Sequence, residues 1–145
     1  MKYLAIDYGQ KRSGLAVSDA GGGMAFPRPA MQMRGKDAYF AELLALAEHE
    51  GVHAFVVGLP LRNTGEDSES TRQARNMAAR LRRRTPLPVY LMNEYLSSHE
   101  AEARLRETGA GGKKLKNKLD SASAVGILES FLALPEERRQ ALQVP

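Results

Sequence analysis

Cysteine is absent from this chain, which excludes disulfides, thiol nucleophiles and cysteine-based zinc sites. No stretch approaches the length of a membrane span. The first apolar run stops at Asp7, too short for the core of a signal peptide, and no small-residue cleavage site follows. A cytoplasmic protein with no membrane partner is expected. The histidines, His49, His53 and His99, share no metal-ligand spacing; His49 and His99 read as surface helix residues and His53 as a strand start. Ser18, Ser97 and Ser98 have no base at a recognisable spacing, so serine catalysis finds no support. Acids are missing from two basic stretches. Arg72, Arg75, Arg80, Arg82, Arg83 and Arg84 lie between Thr71 and Thr85; Lys113, Lys114, Lys116 and Lys118 lie between Gly112 and Leu119.

What is present fits one ordinary domain of 145 residues, expected over 1–134 with a polar tail, 135–145, that frays. At this size folding buries roughly 68–70% of the surface the unfolded chain exposes. The net charge is +4, and most of that excess sits in the two basic stretches. The arginines read equally as a solvated helix face or as an anion-binding one. The lysines follow Gly109-Ala110-Gly111-Gly112, and a flexible basic loop suits a polyanion such as nucleic acid.

The opening stretch reads as a β-hairpin. One apolar run, Tyr3 to Ile6, ends on Asp7; a turn carries Gly9, Lys11 and Arg12; a second run, Leu15 to Val17, leads to Asp19. Met24 to Met33 follows as a third strand, and Pro27 and Pro29 place it at a sheet edge. Phe40, Leu43, Leu44 and Ala47 then recur at helical spacing, predicting a helix over 36–50 that Gly51 ends. His53 to Leu59 and Val89 to Met92 read as short buried strands, with a helix over 68–84 between them. Ser97-Ser98-His99-Glu100 has the form of a capping box opening a further helix. Ala124, Ile127, Leu128 and Phe131 mark a last helix, stopped by Pro135. The order predicts an α/β fold: a mixed five-stranded sheet, an antiparallel meander followed by parallel strands, with helices on both faces.

Three acids stand where apolar runs end. Asp7 ends the first strand and Glu94 follows the last one. Asp120 is in line with Ala124, Ile127 and Phe131, at i+4, i+7 and i+11. A carboxylate on an apolar stripe is costly without a cation beside it. Sites in open sheets form beyond the carboxyl ends of the parallel strands. If these acids converge there, their repulsion calls for a bound cation, and oxygen ligands favour Mg²⁺ or Mn²⁺. Two such ions about 3.5–4 Å apart are able to run phosphodiester hydrolysis. The alternative is three separate acids at strand ends and a helix start.

These residues resemble the YqgF family of RNase H-like nucleases, whose members are described as Holliday-junction resolvases and as pre-16S ribosomal RNA nucleases. The resemblance runs from Lys2 to about Leu134. Asp7, Gly9, Lys11, Arg12, Gly14, Ala16, Ser18 and Asp19 meet the family's first motif in full. Gly58-Leu59-Pro60 with Gly65 matches the second, and Lys116, Asp120, Ala122, Ser123 and Ala124 match the fourth. The third, usually Asp-Glu-Arg, here reads Asn93-Glu94-Tyr95. The resemblance implies an RNase H-like fold with Asp7, Glu94 and Asp120 as catalytic, metal-holding acids. Lys11, Arg12, Arg62, Lys113, Lys114, Lys116 and Lys118 are then expected on nucleic acid.

The expected function is metal-dependent cleavage of pre-16S ribosomal RNA, with branched-DNA resolution as the alternative, by a monomer or weak homodimer. Two rivals belong to other classes. Asp-x-Gly before a hairpin also opens sugar kinases and actin-like ATPases, which need a second lobe that 145 residues cannot supply. A non-catalytic RNA-binding assembly factor would bind RNA without cutting it.

Overall fold

Strand alternation divides β1 (Tyr3–Asp7) between two apolar cores. Leu4 and Ile6 belong to one core; Tyr3 and Ala5 belong to the other. All four are buried, so this strand lies inside the sheet rather than at its edge. The structure, a computed structural model, describes residues 1–61, 64–94 and 112–145, and for 112–121 the helical backbone alone.

The sheet has five strands in the order β3-β2-β1-β4-β5. β2 (Arg12–Ser18) and β3 (Ala25–Gln32) complete the antiparallel meander, with β3 at the edge where its prolines are tolerated. β4 (Ala54–Pro60) runs parallel to β1, and β5 (Val89–Glu94) runs parallel to β4. Asp19 plays a turn role: its Oδ1 accepts from the backbone N–H groups of Gly23 and Met24 at 2.7 and 3.1 Å. Those bonds hold its carboxyl below the usual range.

Helices cover both faces. α1 (Lys36–Glu50) and α2 (Glu69–Arg84) bury Phe40, Leu43, Met77 and Leu81 against one face. Gly51 ends α1 in the left-handed conformation. α2 opens on a reciprocal cap between Ser68 and Thr71, and the buried Thr71 hydroxyl also donates to the Pro60 carbonyl. That bond ties the start of α2 to the end of β4. α3 (Gly112–Leu132) covers the opposite face with Ala124, Ile127, Leu128 and Phe131. Phe131 lies between Tyr3 and Tyr90, its ring centroid 5.2 and 5.1 Å from theirs.

The tail departs from the expectation that it frays. It forms a short helix, α4 (Glu136–Ala141), and then pairs with β5. Leu91 N–H donates to the Leu142 carbonyl at 3.0 Å, and Val144 N–H donates to the Val89 carbonyl at 2.7 Å. Arg139 donates to the Leu132 and Leu134 carbonyls at the end of α3, at 2.6 and 2.9 Å. The polar composition hid this docking because backbone bonds and one arginine carry it. Among the described residues no helix is long and apolar enough to cross a membrane.

Candidate active site

Two of the expected acids sit at carboxyl ends of strands on either side of β4. Asp7 is the last residue of β1 and Glu94 the last of β5. Ile6 is level with Val57, which puts Asp7 level with Gly58; Glu94 is level with Pro60. Alternation assigns both acids to one face. Asp7 shares it with Tyr3 and Ala5, and Glu94 with Tyr90 and Met92, all of the core beneath α3. Asn93, the departure from the third motif, falls by the same alternation on the opposite face, so it takes no oxygen ligand away from the acidic side.

Gly58 lies between the two acids on that face. A Cβ there would overlap Cδ1 of the buried Ile127, so a larger residue would force that side chain, or α3 with it, to move away from the strand. This approach also orients the helix. Phe131 packs at the amino-terminal ends of β1 and β5, while Ile127 packs near the carboxyl end of β4. α3 therefore runs antiparallel to these strands, and earlier helix residues approach or pass the carboxyl edge. Asp120 lies seven residues before Ile127, about 10 Å along the axis and on the same stripe. The topology thus brings Asp7 and Glu94 to one edge and carries the Asp120 position toward it. Among the described residues no group of three acids or histidines gathers at a metal-holding distance; the Asp120 side chain lies outside them.

The β1–β2 turn carries Lys11 and Arg12 past this edge, with Lys11 exposed and Arg12 half-buried. Gly9 is required there, because a Cβ on it would overlap the Arg12 carbonyl oxygen. Beneath the turn the Ser13 and Tyr39 hydroxyls are 2.7 Å apart, and both residues are buried. Burial is the main reason that the Tyr39 hydroxyl holds its proton well above the usual tyrosine range; the Ser13 bond opposes it, and the charges of Tyr8 and Asp7 add to it. This bond fastens α1 to β2 behind the turn.

Of the other expected contacts, Lys113, Lys114, Lys116 and Lys118 belong to the opening turns of α3. Their side chains, Arg62 and the expected capping box at Ser97 lie outside the described residues. The arginine stretch of α2 is largely engaged within the fold. Arg72 pairs with Glu69, Arg75 lies 3.4 Å from Asp67, and Arg84 stacks on Phe40 at 4.3 Å. Ser18 accepts from the Tyr3 N–H at 2.8 Å and is buried, a structural role. Reasoning from the residues alone misses the spacing function of Gly58. The signal for it is a glycine in the middle of an apolar strand, a mark of close backbone or side-chain approach.

Several solved and sequenced proteins are similar to this chain. RuvC of T. thermophilus, solved in complex with a Holliday junction substrate, superposes over 100% of this chain and 99% of its own with a TM-score of 0.56. At 15% identity that likeness shows a shared fold. A protein of Nitratidesulfovibrio vulgaris, strain Miyazaki F, is 59% identical over 139 residues, covering 96% of this chain and 98% of the relative. One from Oleidesulfovibrio alaskensis is 54% identical over 143 residues, covering 99% of both chains. Both carry the provisional name pre-16S rRNA nuclease. The family model RuvX, described as Holliday junction resolvase, matches residues 1–134, and the chain belongs to that family, the YqgF group of its motifs.

Proposed function

We propose that this protein is a phosphodiester hydrolase acting on pre-16S ribosomal RNA in the cytoplasm. The observation that carries the reading is the placement of Asp7 and Glu94 on one face, at the carboxyl ends of the strands flanking β4. The relatives' names supply the substrate class.

The donor chemistry fits a hard divalent cation. Asp7, Glu94 and Asp120 offer oxygen alone, with no histidine or cysteine in the set, which suits Mg²⁺ or Mn²⁺. Bound there as a pair, such ions would activate water and stabilise the leaving oxygen. The chain's own residues set the stage for that chemistry. Gly58, between Asp7 and Glu94, admits the buried Ile127 side chain, which packs as an apolar floor there. Lys11 and Arg12 place positive charge beside the edge, where a phosphodiester must approach three carboxylates. The lysines at the start of α3 add a sequence-independent grip on the backbone.

The deciding experiment incubates purified protein, in Mg²⁺ or Mn²⁺, with a pre-16S RNA fragment and a four-way DNA junction side by side. Cleavage of the RNA is expected. Preferential cutting of the junction would favour the second reading, which rests on the family's description as a resolvase. Binding without cleavage under any divalent ion would leave an assembly factor, and ATP hydrolysis would revive the kinase-like rival.

A further inference from the structure

β1 delivers consecutive residues to opposite faces of the same edge. Asp7 ends on the face of α3; Tyr8, the next residue, packs against the core beneath α1 and α2. Its ring meets that of Tyr39 edge to face at 5.8 Å. Beside Tyr8 opens a groove of about 400 Å³ between the β1–β2 turn, the start of α1 and the outer side of α2. Tyr8, Met33 and Phe40 give it an apolar wall, and Gln10, Gln73 and Asn76 line it with side-chain amides. Lys36 and Arg80 bring positive charge, and no carboxylate lines it among the described residues. A second depression of about 480 Å³ shares Tyr8, Gln10 and Gln73 and continues to Lys11 and Arg12. Its acid, Glu69, is taken up by Arg72.

The volume suits a ligand of nucleotide size. The lining narrows the chemistry. A purely apolar ligand would strip water from the amides without replacing it. A bare anion would leave the apolar wall unused. A nucleobase uses both, with its flat face on the half-buried Tyr8 and Met33 and its polar edge on the amides, while its phosphate meets Lys36 or Arg80. A strand passing over the Gly9–Arg12 turn links the two faces, because Asp7 and Tyr8 are neighbours in the chain.

We propose that this groove holds an unpaired nucleotide of the RNA strand adjacent to the bond being cut. This rests on the nuclease reading and adds a preference for a single-stranded flank. Held there, the unpaired base fixes the register of the strand over the acids.

The test measures binding of a fluorescein-labelled 12-residue RNA, single-stranded or in a blunt duplex, at one fixed salt concentration and in chelator. The variant is Gln73→Ala, Asn76→Ala, both on the outer side of α2; a melting curve checks its fold. Its affinity for the single strand should fall roughly tenfold, as when one well-made base interaction is removed, while duplex affinity stays unchanged. As a second measurement, the wild type is cross-linked to a single strand carrying 4-thiouridine, and the adducts are expected on the peptides holding Tyr8 or Met33. Equal weakening for both RNAs, no weakening for the single strand, or adducts confined to other surfaces would overturn the groove while leaving cleavage in place. A wild type that binds neither RNA in chelator and, in Mg²⁺ or Mn²⁺, leaves the pre-16S fragment uncut would overturn both readings together.

Discussion

Gly58 and Ile127 occupy one space: the isoleucine Cδ1 stands where a β-carbon of residue 58 would be. The absence of a side chain on β4 sets how close α3 lies to the sheet, and with it where the Asp120 position falls relative to Asp7 and Glu94. Replacing Gly58 with alanine should therefore cost about 1–3 kcal/mol of stability by overpacking. It should reduce cleavage more steeply than RNA affinity, because it shifts the helix that carries an acid. Denaturant melts and single-turnover cleavage check both effects. An alanine variant that melts and cuts like the wild type would show that α3 is not held at this point.

The acids themselves make the sharper test. Asp7→Asn, Glu94→Gln and Asp120→Asn should each lower cleavage by at least about 100-fold, since each removes an expected ligand charge. Each should still bind RNA, because the groups that meet phosphate are untouched. Near wild-type rates in any two of them would mean that these carboxylates do not form the centre.

Replacing Lys113, Lys114, Lys116 and Lys118 with alanine should weaken binding to many sequences alike. The slope of log affinity against log salt should shrink by roughly 0.7–0.9 for each phosphate that is no longer neutralised. An unchanged slope would return these lysines to a solvated helix start.

Glu50 supplies a pH-dependent test away from the site. Arg28 donates to it from Nε at 2.6 Å and from its terminal nitrogen at 3.3 Å, and Lys2 Nζ adds a bond at 3.3 Å. Chiefly through the Arg28 bond, these partners hold its carboxyl down at about 2. A depressed folded pKa gives stability that is fully present above the unfolded value of 4.5 and is lost as pH falls toward 2. Glu50→Gln should cost about 1 kcal/mol near pH 7, and the gap from wild type should close as pH falls through that window. Melts at pH 7, 4 and 2.5 measure it; a gap independent of pH would place the contribution in packing instead of charge.

Much of this was legible in the sequence because each helix and strand carries its own apolar period. Phe40, Leu43 and Ala47 marked α1, and the Val-rich run after His53 marked β4 to within a residue. The prolines of β3 announced an edge strand. The alternation that sends Asp7 and Glu94 to one face follows from their places at strand ends, once β1 is known to lie beside β4. The groove was not legible, because Tyr8, Met33, Phe40 and Asn76 come from four separate segments and meet only in the fold. Nor was the docked tail, whose bonds run through backbone carbonyls that no side-chain pattern records.

That tail changes how the molecule meets its own kind. Its pairing with β5 occupies the Leu91 N–H and the Val89 carbonyl, backbone groups on one open side of the sheet. On the other side Pro27 and Pro29 leave β3 short of donors. Both margins are thus poor templates for strand addition, so β-pairing between copies, and the aggregation it seeds, is disfavoured at each end.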